Sequence, residues 1–116
     1  MKRIAEDEAA GSTVSHDSSL SKKVYLKSGD VPGVLQWASS EIGPGLTVTP
    51  HNHPDATELF QILEGEMEAT VDCNRVTLGK GSLLVIEPGE THSFENTGTE
   101  PCRFVYTLLQ TGARTT

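Results

Sequence analysis

The chain has 116 residues, room for one compact domain and not for two. Nine basic residues against sixteen acidic ones give a net charge of −7, and since Lys2, Arg3, Lys22 and Lys23 balance Glu6, Asp7, Glu8 and Asp17, the whole excess falls beyond Lys23. Such a surface repels phosphate backbones and anionic membranes, which argues against nucleic-acid and membrane partners and for a small, neutral or cationic one.

In chain order, Ile4–Ala10 reads as a short helix. Between Gly11 and Ser21 six of eleven residues are Ser or Thr and only Val14 and Leu20 are sizeable apolar groups, so residues 1–22 read as a polar arm that cannot bury itself. Such an arm orders by lying along something, either as a strand exchanged with a second copy in a homodimer or on a neighbouring molecule. His16, within it, reads as a solvated histidine.

From about Val24 the texture becomes short runs of Val, Leu, Ile, Thr and Phe punctuated by Gly, Pro, Asn and Asp. The expected strands are Lys23–Lys27, Val34–Ile42, Leu46–Asn52, Thr57–Glu64, Glu66–Asp72, Arg75–Leu78, Leu83–Ile86, Thr91–Asn96 and Cys102–Leu109. That many antiparallel strands in about ninety residues must close into a small barrel or jelly roll, so residues 23–110 are the barrel and 111–116 a tail. The longest aliphatic run, Leu83–Ile86, is far too short to span a membrane, and a soluble cytoplasmic protein is expected. Cys73 and Cys102 form no CxxC pair and read as reduced structural thiols, or as one disulfide if the protein is exported.

Alternation indicates facing. On one strand Thr47, Thr49, His51 and His53 share a side; on the next, Glu58 shares a side with Phe60 and Ile62, which mark the interior. A carboxylate turned inward beside histidines calls for a cation between them. Gly45, Gly65, Gly81 and Gly89 read as turn residues with positive φ or close backbone approach. Glu64 falls near a turn, with Glu66 and Glu68 on a solvated face, and Trp37 reads as core. Gln36, Gln61, Arg103 and Tyr106 are within reach of the interior, their facing open by one residue of register.

The spacing Gly45, five residues, His51-Asn52-His53, four residues, Glu58, six residues, Gly65 resembles the first signature of the cupin superfamily. Gly81, five residues, Glu87-Pro88-Gly89, two residues, His92, three residues, Asn96 is similar to the second, with Glu87 where that signature has proline. The resemblance covers roughly Val34 to Leu109. It implies an all-β fold, a small antiparallel double-stranded β-helix, or jelly-roll, barrel behind an N-terminal arm. It also implies a divalent transition metal held by His51, His53, Glu58 and His92. Imidazole and carboxylate donors suit Fe, Mn, Ni, Co, Cu or Zn, and two positions stay open on a six-coordinate ion. What the resemblance implies first is dioxygenase-like chemistry on a small oxygen-rich molecule, with Glu58 as catalytic residue, both ligand and proton acceptor. A non-redox isomerase, lyase or cyclase, and a non-catalytic ligand-binding barrel, are the alternatives. The scarcity of Lys and Arg near the motifs counts against a phosphosugar substrate.

Overall fold

A computed structural model describes residues 1–14 and 17–111, apart from the side chains of residues 12–14 and 17–19. His16 and residues 112–116, most of the expected tail, lie outside the described residues. Among the described residues the chain is all-β beyond one 3-10 turn at Glu6–Glu8, which takes the place of the helix expected over Ile4–Ala10. With three consecutive acids and no buried residue in that turn, nothing apolar extends it.

The strands are β1 (Ala10–Val14), β2 (Asp17–Val31), β3 (Val34–Ile42), β4 (Thr47–His51), β5 (Ala56–Glu64), β6 (Met67–Val71), β7 (Asn74–Leu78), β8 (Leu83–Ile86), β9 (His92–Glu95) and β10 (Cys102–Gln110). They form two antiparallel sheets, one of six strands in the order β1-β2-β3-β10-β5-β8 and one of four in the order β4-β9-β6-β7. The interleaved orders are those of a jelly roll, in which each sheet offers one apolar face to the other.

The N-terminal region differs from its sequence reading. β2 runs through the expected boundary between residues 22 and 23, and β1 folds back on it in the same chain, Ala10 opposite Val24 and Ser12 opposite Lys22. β2 in turn pairs with β3, Lys22 opposite Ser40 and Val24 opposite Ala38. Leu20 is 2% exposed and belongs to the core, so part of the stretch expected to stay unburied packs into the barrel. Backbone pairing accepts Ser, Thr and Lys on an outer face as long as the inner positions are occupied.

Between the sheets pack Ile42, Ile62, Met67, Ile86, Phe94 and Phe104. Trp37 is not core but 44% exposed. The inward residues of β3 are Ala38, Ser40 and Ile42, small where Phe104 and Tyr106 of β10 stand opposite Ser40 and Ala38. Trp37, of the other parity, faces out. Gly65, between β5 and β6, has φ +86°, and a Cβ there would stand 2.5 Å from the Pro101 carbonyl oxygen. Gly45, Gly81 and Gly89 also take positive φ, as expected.

Candidate metal centre

β5 alternates cleanly, Ala56, Glu58, Phe60 and Ile62 being buried and Gln61 and Leu63 exposed, so Glu58 is carried inward by the same period that buries its apolar neighbours. β4 does not alternate. Val48 stands opposite Phe94 and His51 opposite His92, so three steps on β4 match two on β9. This is a bulge, and Pro50, which has no N–H to give to the ladder, falls within it. The bulge puts Val48 and His51 on one side and leaves Thr47 and Thr49 exposed. The face expected from strict alternation, with Thr47 and Thr49 beside His51, is corrected accordingly.

His51, His53, Glu58 and His92 are brought together, each offering one ligand atom, all four within 4.8 Å of one another. Atoms about 2.1 Å from a shared ion stand roughly 3 to 4 Å apart, so the set is close to the span that one ion needs. His51 and His92 are direct cross-strand neighbours with ring centroids 4.2 Å apart. The Nδ1 of His51 lies 3.0 Å from the Thr49 carbonyl, and that of His92 lies 3.0 Å from the Glu90 carbonyl. A carbonyl only accepts, so each Nδ1 carries a proton, and in the neutral ring Nε2 is the nitrogen left to act as a metal donor.

Glu58 and His92 are 3% and 1% exposed. Glu58 Oε1 is 2.9 Å from His92 Nε2 and 3.7 Å from His53 Nε2. The shorter approach is not aligned as a hydrogen bond, and both buried atoms are left unsatisfied. Two acceptors pointed at a common space are what a cation satisfies. Burial, the largest influence on His92, opposes its charged form, but the Glu58 carboxylate and the Glu90 carbonyl outweigh it and hold its pKa above the ordinary histidine value. The donor set of three imidazoles and one carboxylate thus fits a divalent transition metal.

The cluster opens into a pocket of about 80 Å³. Its apolar wall includes Leu20, Val48, Phe60, Phe94, Phe104 and Leu108; its polar groups include Lys22, Gln36, Ser40 and Tyr106. Of the four residues whose facing was open, Gln36 and Tyr106 line the pocket. Gln61 lies outside and meets the Gly81 carbonyl, while Arg103 meets Glu64. Burial, with the Glu58 charge adding to it, pushes the Tyr106 phenol up to about 12. Leu20 and Lys22 were missed by the sequence reading, although Leu20, Lys22 and Val24 at every second position would have indicated a strand face. Asn96, fixed in the second signature, is wholly buried and bonds the Ile42 and Glu100 carbonyls, which is structural work. Glu64 pairs with Arg103, and Glu68 with Arg75 and Thr77, outside the pocket. Cys73 and Cys102 are free thiols, one exposed and one buried, and neither belongs to the cluster.

A family model described as "Cupin domain" matches residues 38–108. The tetracenomycin polyketide synthase protein TcmJ of Streptomyces glaucescens is 32% identical over 68 residues, covering 59% of this chain and 46% of that protein. The chain spans about half the length of the curated relatives it matches, 46%, 39% and 60% for three of them. Among solved structures, a predicted oxalate decarboxylase from Thermotoga maritima superposes with a TM-score of 0.85 at 22% identity, over 95% of this chain and all of that one. The polyketide cyclase RemF from Streptomyces resistomycificus superposes with a TM-score of 0.78 at 21% identity, over 94% and 79% of the two chains. At those identities the two structures establish the shared fold alone.

Proposed function

The chain belongs to the cupin family, and on that premise we propose that His51, His53, Glu58 and His92 hold one divalent transition metal and that the protein catalyses a metal-dependent reaction on a small oxygen-rich molecule in the barrel. The observation that carries this reading is the pair of buried, unsatisfied acceptors, Glu58 Oε1 and His92 Nε2, 2.9 Å apart beside two further imidazoles. When bound, such an ion supplies a Lewis-acid centre, and if it is redox-active also a site for dioxygen. The rest is the work of this chain's own side chains. The three rings enter as neutral donors, their orientation set for His51 and His92 by the Thr49 and Glu90 carbonyls. Glu58, the catalytic residue, accepts a proton from the substrate at its carboxylate. Tyr106, protonated throughout the physiological range, donates a hydrogen bond to a substrate oxygen. Phe60, Phe94 and Phe104 keep water from the reacting end of the pocket.

Dioxygenase chemistry, in an intracellular homodimer, is the first reading. Non-redox ring closure is the second, supported by similarity to a polyketide synthase protein and to the fold of a polyketide cyclase and by the aromatic wall that would hold a flat, oxygen-rich substrate. Elemental analysis of the purified protein together with an oxygen electrode tests both. One equivalent of iron or copper, with oxygen uptake on adding diketones, catechols or hydroxy acids, supports the first. Zinc or nickel with unchanged oxygen supports the second. Protein that takes up no divalent metal at all overturns the proposal.

A further inference from the structure

We propose that Lys22 forms an anion-recognition subsite at the far end of the pocket, and that the ligand is a carboxylate with an apolar, aromatic-sized body. The inference rests on the reading of the barrel as a ligand pocket and adds the ligand's chemical class. Lys22 lies on β2, outside the 38–108 stretch that the family model matches.

Lys22 stands opposite Ser40, a buried residue of β3, on the face that carries the buried Leu20 and half-buried Val24. That register turns its stem inward, and it lines the same pocket as His51, His53 and Glu58. Four other cations are held by acids: Lys23 meets Glu6 at 2.7 Å, Lys27 meets Asp30 at 3.0 Å, and Arg75 and Arg103 meet glutamates. No such ion pair reaches Lys22 among the described residues. An ammonium partly withdrawn from water beside Phe104 and Leu20 forms a stronger bond to a carboxylate than a fully solvated one would. Most of the acids behind the −7 of the whole chain lie outside this pocket, where Glu58 is the one acid among the lining residues.

Register also places aromatic groups between Lys22 and the cluster. Lys22, Ser40, Phe104 and Ile62 stand in one row across β2, β3, β10 and β5, and Glu58 is four residues from Ile62 along β5. Lys22 and Glu58 thus start from backbone positions three strands and four residues apart, and their side chains reach into the same pocket. Phe60, Phe104 and Tyr106 line the stretch between, which suits a ring or a short aryl chain.

The test uses the metal-loaded full chain and three matched pairs: benzoate, 3-phenylpropanoate and 5-phenylpentanoate, each against its primary amide, titrated by ligand-observed NMR. The longer acids should bind at least tenfold more tightly than their amides. Lys22→Met should bring that preference below twofold while leaving amide affinity, metal content and melting temperature unchanged, and Lys22→Arg should retain it. Equal binding of acid and amide by the unaltered protein overturns the subsite. So does a preference that survives Lys22→Met, since it then belongs to the metal. If Lys22→Met lowers the melting temperature, Lys22→Gln takes its place in the comparison. Failure of all six compounds to bind overturns the pocket reading itself, and the subsite with it.

Discussion

Glu58 and His92 meet across the two sheets of the barrel, one carried by β5 and the other by β9, with Oε1 and Nε2 2.9 Å apart and no hydrogen bond between them. The Nδ1 of His92 faces the Glu90 carbonyl, so it is Nε2 that faces the carboxylate, as a lone pair whenever the ring is neutral. A buried carboxylate and a buried imidazole lone pair facing each other are costly in an apolar interior unless a positive charge stands between them.

Removing one of these partners should therefore release the metal without unfolding the barrel. For His92→Ala and for His53→Ala, metal per chain should fall from one equivalent to near zero after dialysis. Loss of a direct ligand should cost at least the roughly 100-fold in affinity that loss of a ligand's outer partners reaches. Plasma mass spectrometry measures the metal, and far-UV circular dichroism should show an unchanged β spectrum. Metal content that stays at one equivalent would remove these residues from the ligand set.

Asn96 takes its place in the second signature for a different reason. Its amide donates to the Ile42 carbonyl at 3.0 Å and the Glu100 carbonyl at 2.8 Å, and its oxygen accepts from the Gly98 N–H at 2.9 Å. Asn96→Ala leaves three backbone groups without this partner and should destabilise the fold by about 2 to 4 kcal/mol, read from urea unfolding. In protein that still folds, metal content should be unaltered; a stability loss below about 1 kcal/mol would contradict the structural role.

How much was legible in the sequence depended on whether local periodicity survived in the strand. Glu58 was placed inward by Phe60 and Ile62 because β5 keeps a strict two-residue period over its buried stretch. β4 does not, and the facing of Thr47 and Thr49 was misread because the bulge around Pro50 is a property of pairing with β9. Trp37 was misplaced because side-chain size decided against it: beside Phe104 and Tyr106 the inner positions of β3 take Ala38 and Ser40. The hairpin of β1 and β2 was hidden by composition, since a strand rich in Ser and Lys declares itself only through its partners. Lys22 was consequently counted with a solvated arm.

Gly65 should be intolerant of any side chain. Its φ of +86° is strained for other residues, and a Cβ would come within 2.5 Å of the Pro101 carbonyl oxygen and 2.9 Å of Cys102 Cα, both backbone atoms. Gly65→Ala should lower stability by at least about 2 kcal/mol, whereas the same change at Gly11, where nothing lies within 4 Å of an added Cβ, should be nearly neutral. Comparable melting temperatures for the two variants would show that the β5–β6 turn yields more readily than this geometry allows.

The two thiols should differ sharply in reactivity. Cys73 is exposed in the turn between β6 and β7, while Cys102 is buried and its pKa is pushed up to about 11 by that burial. At pH 8 a thiol reagent should modify one group per folded chain, and peptide mapping should place it on Cys73. Because the folded-state pKa of Cys102 is raised, its contribution to stability is full below the unfolded thiol value. It is lost as pH rises from about 9 toward 11. Cys102→Ala should flatten the decline in melting temperature over that window, and an unchanged slope would assign the alkaline loss to other groups.

A proposed homodimer should form through the outer face of the six-stranded sheet. Trp37, Thr107, Leu59 and Val85 stand opposite one another in a row across β3, β10, β5 and β8. Trp37, Val85 and the nearby Leu83 are 44%, 48% and 56% exposed. On a chain of net charge −7 this uncharged band is where a second copy can approach with least repulsion while burying apolar surface. Val85→Glu would place two carboxylates in a two-fold interface and should shift the mass in sedimentation equilibrium from dimer to monomer, with the metal site intact. Thr49→Glu, on the exposed side of β4 in the other sheet, should leave the mass unchanged. A dimer unaffected by Val85→Glu would move the interface off this band, and a monomeric unaltered protein would dismiss the dimer.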